Sequence, residues 1–341
     1  MLLLNGVADE PTVRAGRRAD RTDRLEGAAG AAPRAGGGHP ARDGLPARGE
    51  DRMSTLQAIT LDQVVDTARY PLAQLDSAEG RAVMSRARRE LSALGCTVLP
   101  DFIRPSLREV LEQECAALAP QAHFDVETVN VYNIAVDRAL PEDHPGRRTF
   151  QRGNAFVARD RIPTDSLISR LYAHTAFQDF IARCFGLPQL HELADPLSGL
   201  VLNVVAPGLE HPWHFDTNEF TVSLLTRQAQ DGGVFEYCPN IRSAEDEHFD
   251  DVRDVLDGRG ERLTRRLPLQ PGDLQLFKGR YSLHRVSPVR GELARHSAIF
   301  AYSERPGVIG SVARTRQLFG RVLPEHLAAE GRAVRGDRLL D

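Results

Sequence analysis

The second half of the chain is written in a period of two. From about residue 197, short runs of apolar and β-branched residues recur: "LSGLVLNVV", "EFTVSLLTR", "GGVFEYCP", "LQLFKGR", "SLHRVSPV" and "RHSAIFAYS". Gly- and Pro-bearing breaks such as "APG", "DGG", "QPGD" and "VRG" separate them. Neighbouring side chains of a strand point to opposite faces, so each run buries one face. Regularly spaced runs of this kind predict a compact antiparallel barrel or sandwich. One segment breaks the pattern. "NIRSAEDEHFDDVRDVLDGRGERLTRR" is charged and partly helical, and reads as an insertion at about 240–266 placed as a lid over a site.

Residues 53–190 read as a helical supporting region of the same domain. "SAEGRAVMSRARRELSALG" sets Val83, Ala87, Leu91 and Leu94 on one helical face, with Gly95 as a stop signal. "CTVLPDFI" reads as a short buried strand, "RPSLREVLEQECAALA" as a helix, and "PTDSLISRLYAHTAFQDFIARCFG" as one or two amphipathic helices ending at Gly186. The barrel core is expected over 191–305 and a peripheral C-terminal helix over 306–341. Residues 1–52 are rich in Gly, Ala, Arg and Asp and hold no Phe, Trp or Tyr, too little apolar surface to offset ordering entropy. They are expected to be a disordered leader, with Met53 as the native start.

Charge and composition narrow the function classes. The 341 residues carry a formal net charge of −4, and Lys278 is the only lysine, so a phosphate-binding surface for nucleic acid is not expected. No apolar run approaches the ~20 residues of a membrane span. The 4 cysteines form no CxxC pair, which fits a reducing, cytoplasmic setting.

The tripeptide His-Phe-Asp occurs three times, at His123–Asp125, His214–Asp216 and His248–Asp250. With 11 histidines, a stray His-x-Asp is expected by chance. His248 and Asp250 lie in an acidic helical pattern, where a step of two turns the side chains apart. His123 and Asp125 follow a helix end, and no downstream segment supplies a third ligand. His214 and Asp216 stand at the mouth of a strand with Phe220, Val222 and Leu224 on one face and Thr221, Ser223 and Leu225 on the other. Residues i and i+2 of an extended chain share a side, so both ligands can face one interior. His284, 70 residues on, is the candidate third ligand. Two imidazoles and a carboxylate on one face of a metal form the facial triad of non-haem Fe(II) oxygenases. The alternative for His284 is a core histidine hydrogen-bonded to backbone.

Arg295 and Ser297 share a face by the same rule. A tight turn near Pro288–Glu292 sets His284 opposite Arg295 or His296. A fixed guanidinium beside an open metal suits a dicarboxylate that chelates the metal and anchors its far end, as 2-oxoglutarate does.

"WHFD", "GGVFEYCP", "PGDLQLFKGRYSLHRVSPV" and "RHSAIFAYS" resemble the Fe(II)/2-oxoglutarate-dependent dioxygenase superfamily, and most of all its group of free-amino-acid hydroxylases and halogenases. The match covers about 190–305 and falls on His214, Asp216, His284, Arg295 and Ser297. The resemblance implies a mainly β fold with flanking helices and a double-stranded β-helix (jelly-roll) core. It implies Fe(II), 2-oxoglutarate as co-substrate, and O2, with ascorbate as a supporting reductant. 2-Oxoglutarate is expected to chelate iron and to place its C5 carboxylate on Arg295, decarboxylating to succinate as substrate is oxidised. The related aliphatic halogenases carry a small residue where the iron carboxylate would be. Asp216 therefore favours hydroxylation, with desaturation and cyclisation left open.

Supporting residues are candidates only. Asn203 is a donor to 2-oxoglutarate or a strand amide satisfied by a neighbour. Trp213 walls the substrate pocket or packs. His211, Asn218 and Glu219 are candidate polar contacts to substrate. Glu192 and Asp195 are candidates to meet a substrate ammonium, and Arg280 and Arg285 to balance carboxylates. The expected partner is a small molecule such as an amino acid, in specialised metabolism. The alternatives are an oxygenase acting on a protein- or carrier-bound substrate, and a catalytically silent barrel used as a binding module.

Overall fold

The computed structural model describes residues 60–331 and 339–340. The expected leader at 1–52 and the start at Met53 lie outside the described residues. In chain order the elements that build the site are helix α1 (Ala78–Leu94), strand β1 (Cys96–Leu99), helix α2 (Arg108–Leu118), strand β2 (Asn154–Val157), and helices α3 (Leu167–Tyr172) and α4 (Thr175–Phe185). Strands β3 (Leu200–Val205), β4 (His211–His214), β5 (Thr221–Arg227) and β6 (Phe235–Cys238) follow. After helix α5 (Phe249–Leu256) come β7 (Arg265–Leu267), β8 (Leu274–Phe277), β9 (Leu283–Val286), β10 (Arg295–Phe300) and helix α6 (Val312–Phe319).

Ten of these strands form two antiparallel sheets, ordered β1-β8-β5-β10-β3-β2 and β7-β6-β9-β4. From β3 onward the chain passes between them. β3, β5, β8 and β10 lie in the larger sheet; β4, β6, β7 and β9 lie in the smaller. Eight antiparallel strands wound in this way are a double-stranded β-helix, the jelly roll expected from the sequence. The fold is mainly β with flanking helices, and the supporting region contributes β1 and β2 to the larger sheet as well as helices.

The period of two separates the faces of the larger sheet. Val222, Leu224, Leu274, Leu276 and Phe300 point outward and are buried under α1, α3 and α4. Thr221, Ser223, Gln275, Phe277 and Ser297 point inward and line a cavity. Helix α1 starts where the Ser77 side chain accepts from Gly80 N at 3.0 Å and stops at Gly95, whose φ of 66° is left-handed. Its buried face is Gly80, Met84, Ala87 and Leu91; Val83 and Leu94 of the expected stripe are half-buried at its margin. Phe177 on α4 ties helix to sheet, with its ring 5.7 Å from those of both Phe102 and Phe300.

Three expectations are corrected. The first is the hairpin that set His284 opposite Arg295 or His296. β9 pairs with β6 and β4, whereas β10 pairs with β3 and β5. The chain changes sheets between β9 and β10, so His284 and Arg295 meet across the interior instead of along a ladder. The second is the lid. No residue of 240–266 lines the cavity. Val252, Val255 and Leu256 of α5 pack with Val131, Tyr132, Trp213 and Phe215 on the outer side of the smaller sheet, because the apolar face of the helix needs that cover. The third is the peripheral C-terminal helix. Val308 to Ser311 and the Arg314, Leu318 and Phe319 side of α6 wall the cavity instead.

Truncating Phe177 leaves a void between helix and sheet. Phe177→Ala is expected to destabilise the protein by about 3–5 kcal/mol. A urea unfolding curve with a lowered midpoint and unchanged slope is the check.

Candidate active site

The residues Trp213-His214-Phe215-Asp216 alternate in and out. Trp213 and Phe215 are buried in the outer apolar cluster, and Phe215 N donates to Val131 O at 2.8 Å. The Arg242 guanidinium lies 3.8 Å from the Phe215 ring centre. These outward anchors turn His214 and Asp216 inward. His214 is the last residue of β4, and Asp216 stands just beyond it. Across the sheet, β9 places His284 directly opposite His214.

His214, Asp216 and His284 each offer a ligand atom within 4.8 Å of the others, and among the described residues they form the one such group. The Nε2 atoms of His214 and His284 stand 3.7 and 3.5 Å from Asp216 Oδ1. Each Nδ1 is tied to the carbonyl two residues back: His214 to Pro212 O at 2.8 Å and His284 to Ser282 O at 3.0 Å. A carbonyl accepts only from N–H, so Nδ1 carries the proton and Nε2 is left as a lone-pair donor. Burial, with His211 and His284 nearby, holds the His214 pKa well below its usual value, so the ring is neutral as a metal ligand requires. Burial opposes the charge on Asp216, but His284, His214 and the Thr221 hydrogen bond outweigh it and keep the carboxyl ionised. Thr221 Oγ1 donates to Asp216 Oδ2 at 2.7 Å. This donor set, with neutral imidazoles and an oriented carboxylate, fits a divalent transition metal.

Gly279 supports Asp216 from beneath. Its carbonyl accepts from Asp216 N at 3.1 Å, and a Cβ at that position would lie 1.9 Å from Asp216 Oδ2. Phe277 and Phe235 pin the His284 ring, with centroids at 4.8 and 5.6 Å.

The cavity, of about 560 Å³, is lined by the triad and by Arg295, Ser297 and Asn203. Arg295 is 5% exposed, and its Nη1 donates to Ser297 Oγ at 2.6 Å. Among the described residues it has no carboxylate partner, and burial alone pushes its pKa down to about 10, so it stays charged. Asn203 faces Ser297 across the β10–β3 ladder and accepts from Asn154 Nδ2 at 3.0 Å. His211 stacks on His214 with centroids 3.8 Å apart and lines the cavity with Asn218.

The remaining candidates lie elsewhere. Trp213 does not line the cavity; it packs outside, with the Arg285 guanidinium 4.8 Å from its ring centre. Arg285 pairs with Glu236 at 2.6 Å, and Arg280 is buried away from the cavity lining. Glu219 is exposed beside Glu304. Glu192 is exposed and accepts from Gln178 at 3.1 Å. Asp195 is an anchor: it accepts from Leu197, Ser198 and Gly310 N and lies 3.2 Å from His326 Nε2. The other two His-Phe-Asp copies are structural. His123 packs over Gly320, with Asp125 exposed, and the Asp250 side chain is 93% exposed. Sequence reasoning missed Thr221 and Gly279 as supports of Asp216, although the polar side of β5 signalled Thr221. It also missed Arg314, which no local pattern marks.

A methyl at Gly279 collides with the metal carboxylate. Gly279→Ala is expected to weaken Fe(II) or Co(II) binding by roughly 10- to 100-fold, the usual effect of disturbing a ligand's support. Calorimetric titration of the metal measures it, and an unchanged affinity would refute the packing role.

A search of curated proteins finds no match. Solved structures give distant likenesses. A 2OG-Fe(II) oxygenase family oxidoreductase from Burkholderia pseudomallei is 17% identical, over 66% of this chain and 92% of its own, with a TM-score of 0.43. A prolyl hydroxylase from Trichoplax adhaerens, in complex with a hypoxia inducible factor peptide fragment, is 16% identical over 65% and 90%, at 0.44. AviO1 from Streptomyces viridochromogenes is 15% identical over 66% and 96%, at 0.46. The family described as Halogenase D matches residues 80–314, the span that holds both sheets, all three metal ligands and Arg295. By that match, by its jelly roll and by its His-Asp-His centre, the chain belongs to the Halogenase D family of the Fe(II)/2-oxoglutarate-dependent oxygenases, whose cofactor set is Fe(II), 2-oxoglutarate and O2.

Proposed function

We propose that this protein is a hydroxylase, not a halogenase, and that it oxidises an unactivated C–H bond of a small molecule while 2-oxoglutarate is converted to succinate. The observation that carries the reading is Asp216. A halide needs a vacant metal position, and here a carboxylate held by Thr221 and seated on Gly279 faces the two imidazoles. The family description names halogenation, so the carboxylate sets this chain apart from the chemistry in that description.

Iron and 2-oxoglutarate supply the activation of O2 when bound. The protein's own residues do the rest. Arg295 and Ser297 are assigned to the far carboxylate of 2-oxoglutarate, and Asn203 is assigned to orient it. A guanidinium held by a neighbouring hydroxyl presents a fixed fork to a carboxylate. Phe235, Phe277 and Val286 keep that side of the cavity apolar and exclude water. The C-terminal wall favours a small substrate over a protein- or carrier-bound one. Buried, free cysteines fit a cytoplasmic enzyme, and no described helix is long and apolar enough to cross a membrane.

Anaerobic Fe(II) protein, kept reduced with ascorbate, is expected to give a weak visible charge-transfer band on titration with 2-oxoglutarate. Arg295→Gln is expected to weaken that binding about 10- to 100-fold, the cost of losing charged hydrogen bonds. Absence of the band in the wild type would support a catalytically silent barrel instead. Substrate screens in chloride buffer, scored by coupled succinate and product mass, decide the reaction. The expected product gains one oxygen atom, and a chlorinated product would overturn the hydroxylase reading.

A further inference from the structure

The cavity contains two guanidinium groups, and the reading above uses only one. Arg314, in the first turn of α6, also lines the cavity. Its Nη1 donates to Asn133 Oδ1 at 3.4 Å and to Gln317 Oε1, both neutral acceptors. Among the described residues no carboxylate lies within ion-pair distance of it. Nearby, Arg152 is 3% exposed and paired with Glu127, yet its Nε and Nη1 have no partner. Burial and the Arg152 charge push the Arg314 pKa down to about 10, which still leaves it protonated near neutral pH. Arg314 is half-buried, with Asp216 and Glu127 acting on it only from beyond ion-pair distance, and an arriving anion would give it a direct partner.

The acid side of the cavity is as informative. Asp216 is the single carboxylate among the lining residues, and it is committed to the metal. With Fe(II) and 2-oxoglutarate bound, Asp216 and one carboxylate of 2-oxoglutarate would balance the two charges of the metal. The other carboxylate would balance Arg295. Arg314 would still have no carboxylate in direct contact among the described residues. A substrate ammonium entering this cavity would find no free acid to meet it. Beside Arg314 the wall is apolar, made of Val201, Ile299, Leu318, Phe156 and Phe319, with the last two rings edge-on at 6.5 Å.

We infer that the substrate is a small carboxylic acid, held by its carboxylate on Arg314 with its apolar chain along the Phe156–Phe319 wall. This rests on the oxygenase reading. It replaces the expectation of an amino acid recognised through its ammonium group with an anion recognised through its carboxylate. Arg314 is then a positioning residue: it fixes which carbon of the chain faces the metal.

The test uses the full-length Fe(II) protein and matched probes: short straight-chain carboxylic acids, the corresponding primary amides and the corresponding amines. Perturbation of the 2-oxoglutarate band reports binding, and succinate formation in air reports coupling. Acids are expected to act, and amides and amines to be at least tenfold weaker, as one lost charged hydrogen-bond pair implies at about 1.5–3 kcal/mol converted to a ratio. Arg314→Gln is expected to lower affinity for the acids about 10- to 100-fold while leaving 2-oxoglutarate affinity and the band unchanged. Arg314→Lys should restore part of the acid preference, because it keeps the charge but loses the fork. A wild type that never binds 2-oxoglutarate defeats the oxygenase reading itself. A wild type that binds 2-oxoglutarate but shows no preference for acids overturns the inference alone. So does an Arg314→Gln variant that keeps the acid preference, or one that loses only melting temperature.

Discussion

The register between Leu283–Val286 and His211–His214 is the constraint on which the rest of the site depends. It puts His284 opposite His214 and so sets the spacing of two imidazoles before any metal arrives. Both rings are locked the same way, each Nδ1 bonded to the carbonyl two residues earlier. Asp216 completes the group because Phe215, buried on the outer side, holds the chain in the alternation that points its neighbours inward. A one-residue slip of this ladder would exchange ligands for anchors.

Around that centre the electrostatics follow from burial. A neutral His214, an ionised Asp216 and a charged Arg295 coexist because each has a distinct means of support. His214 is kept neutral by desolvation, the Asp216 carboxyl is held low by the neighbouring rings and Thr221, and the guanidinium cannot readily lose its proton. The interior therefore holds positive charge in excess of its acids, which is the condition an enzyme meets by binding anions.

Much of the fold was legible because one-sided burial leaves a period in the sequence. The helices ending at Gly95 and Gly186, the inward Thr221 and Ser223, and the strands carrying His284 and Arg295 all announce themselves this way. β2 and β7 did not. Asn154–Val157 lies in a mixed segment without flanking alternation, and Arg265–Leu267 sits in a charged stretch. The stripe of α1 was displaced because Gly80 and Met84 are buried, while Val83 packs against the core from its margin. The third candidate ligand, His284, was readable from its spacing, but Arg295 was placed in the wrong ladder: adjacency in sequence suggested a hairpin where the chain changes sheets.

By itself the sequence determined which residues could bind a metal and a dicarboxylate, since residue type and i, i+2 spacing are local properties. It also determined that a carboxylate, not a small residue, stands at position 216. Only the tertiary structure decided which segments enclose the cavity. α5 turned away to cover an outer apolar cluster, and the segment from Val308 to Phe319 closed the wall. Arg314 became part of the site through that choice alone. Its guanidinium gains meaning from lining the cavity that holds His214, 100 residues earlier in the chain, and a long-range placement of that kind leaves no periodic trace in a sequence.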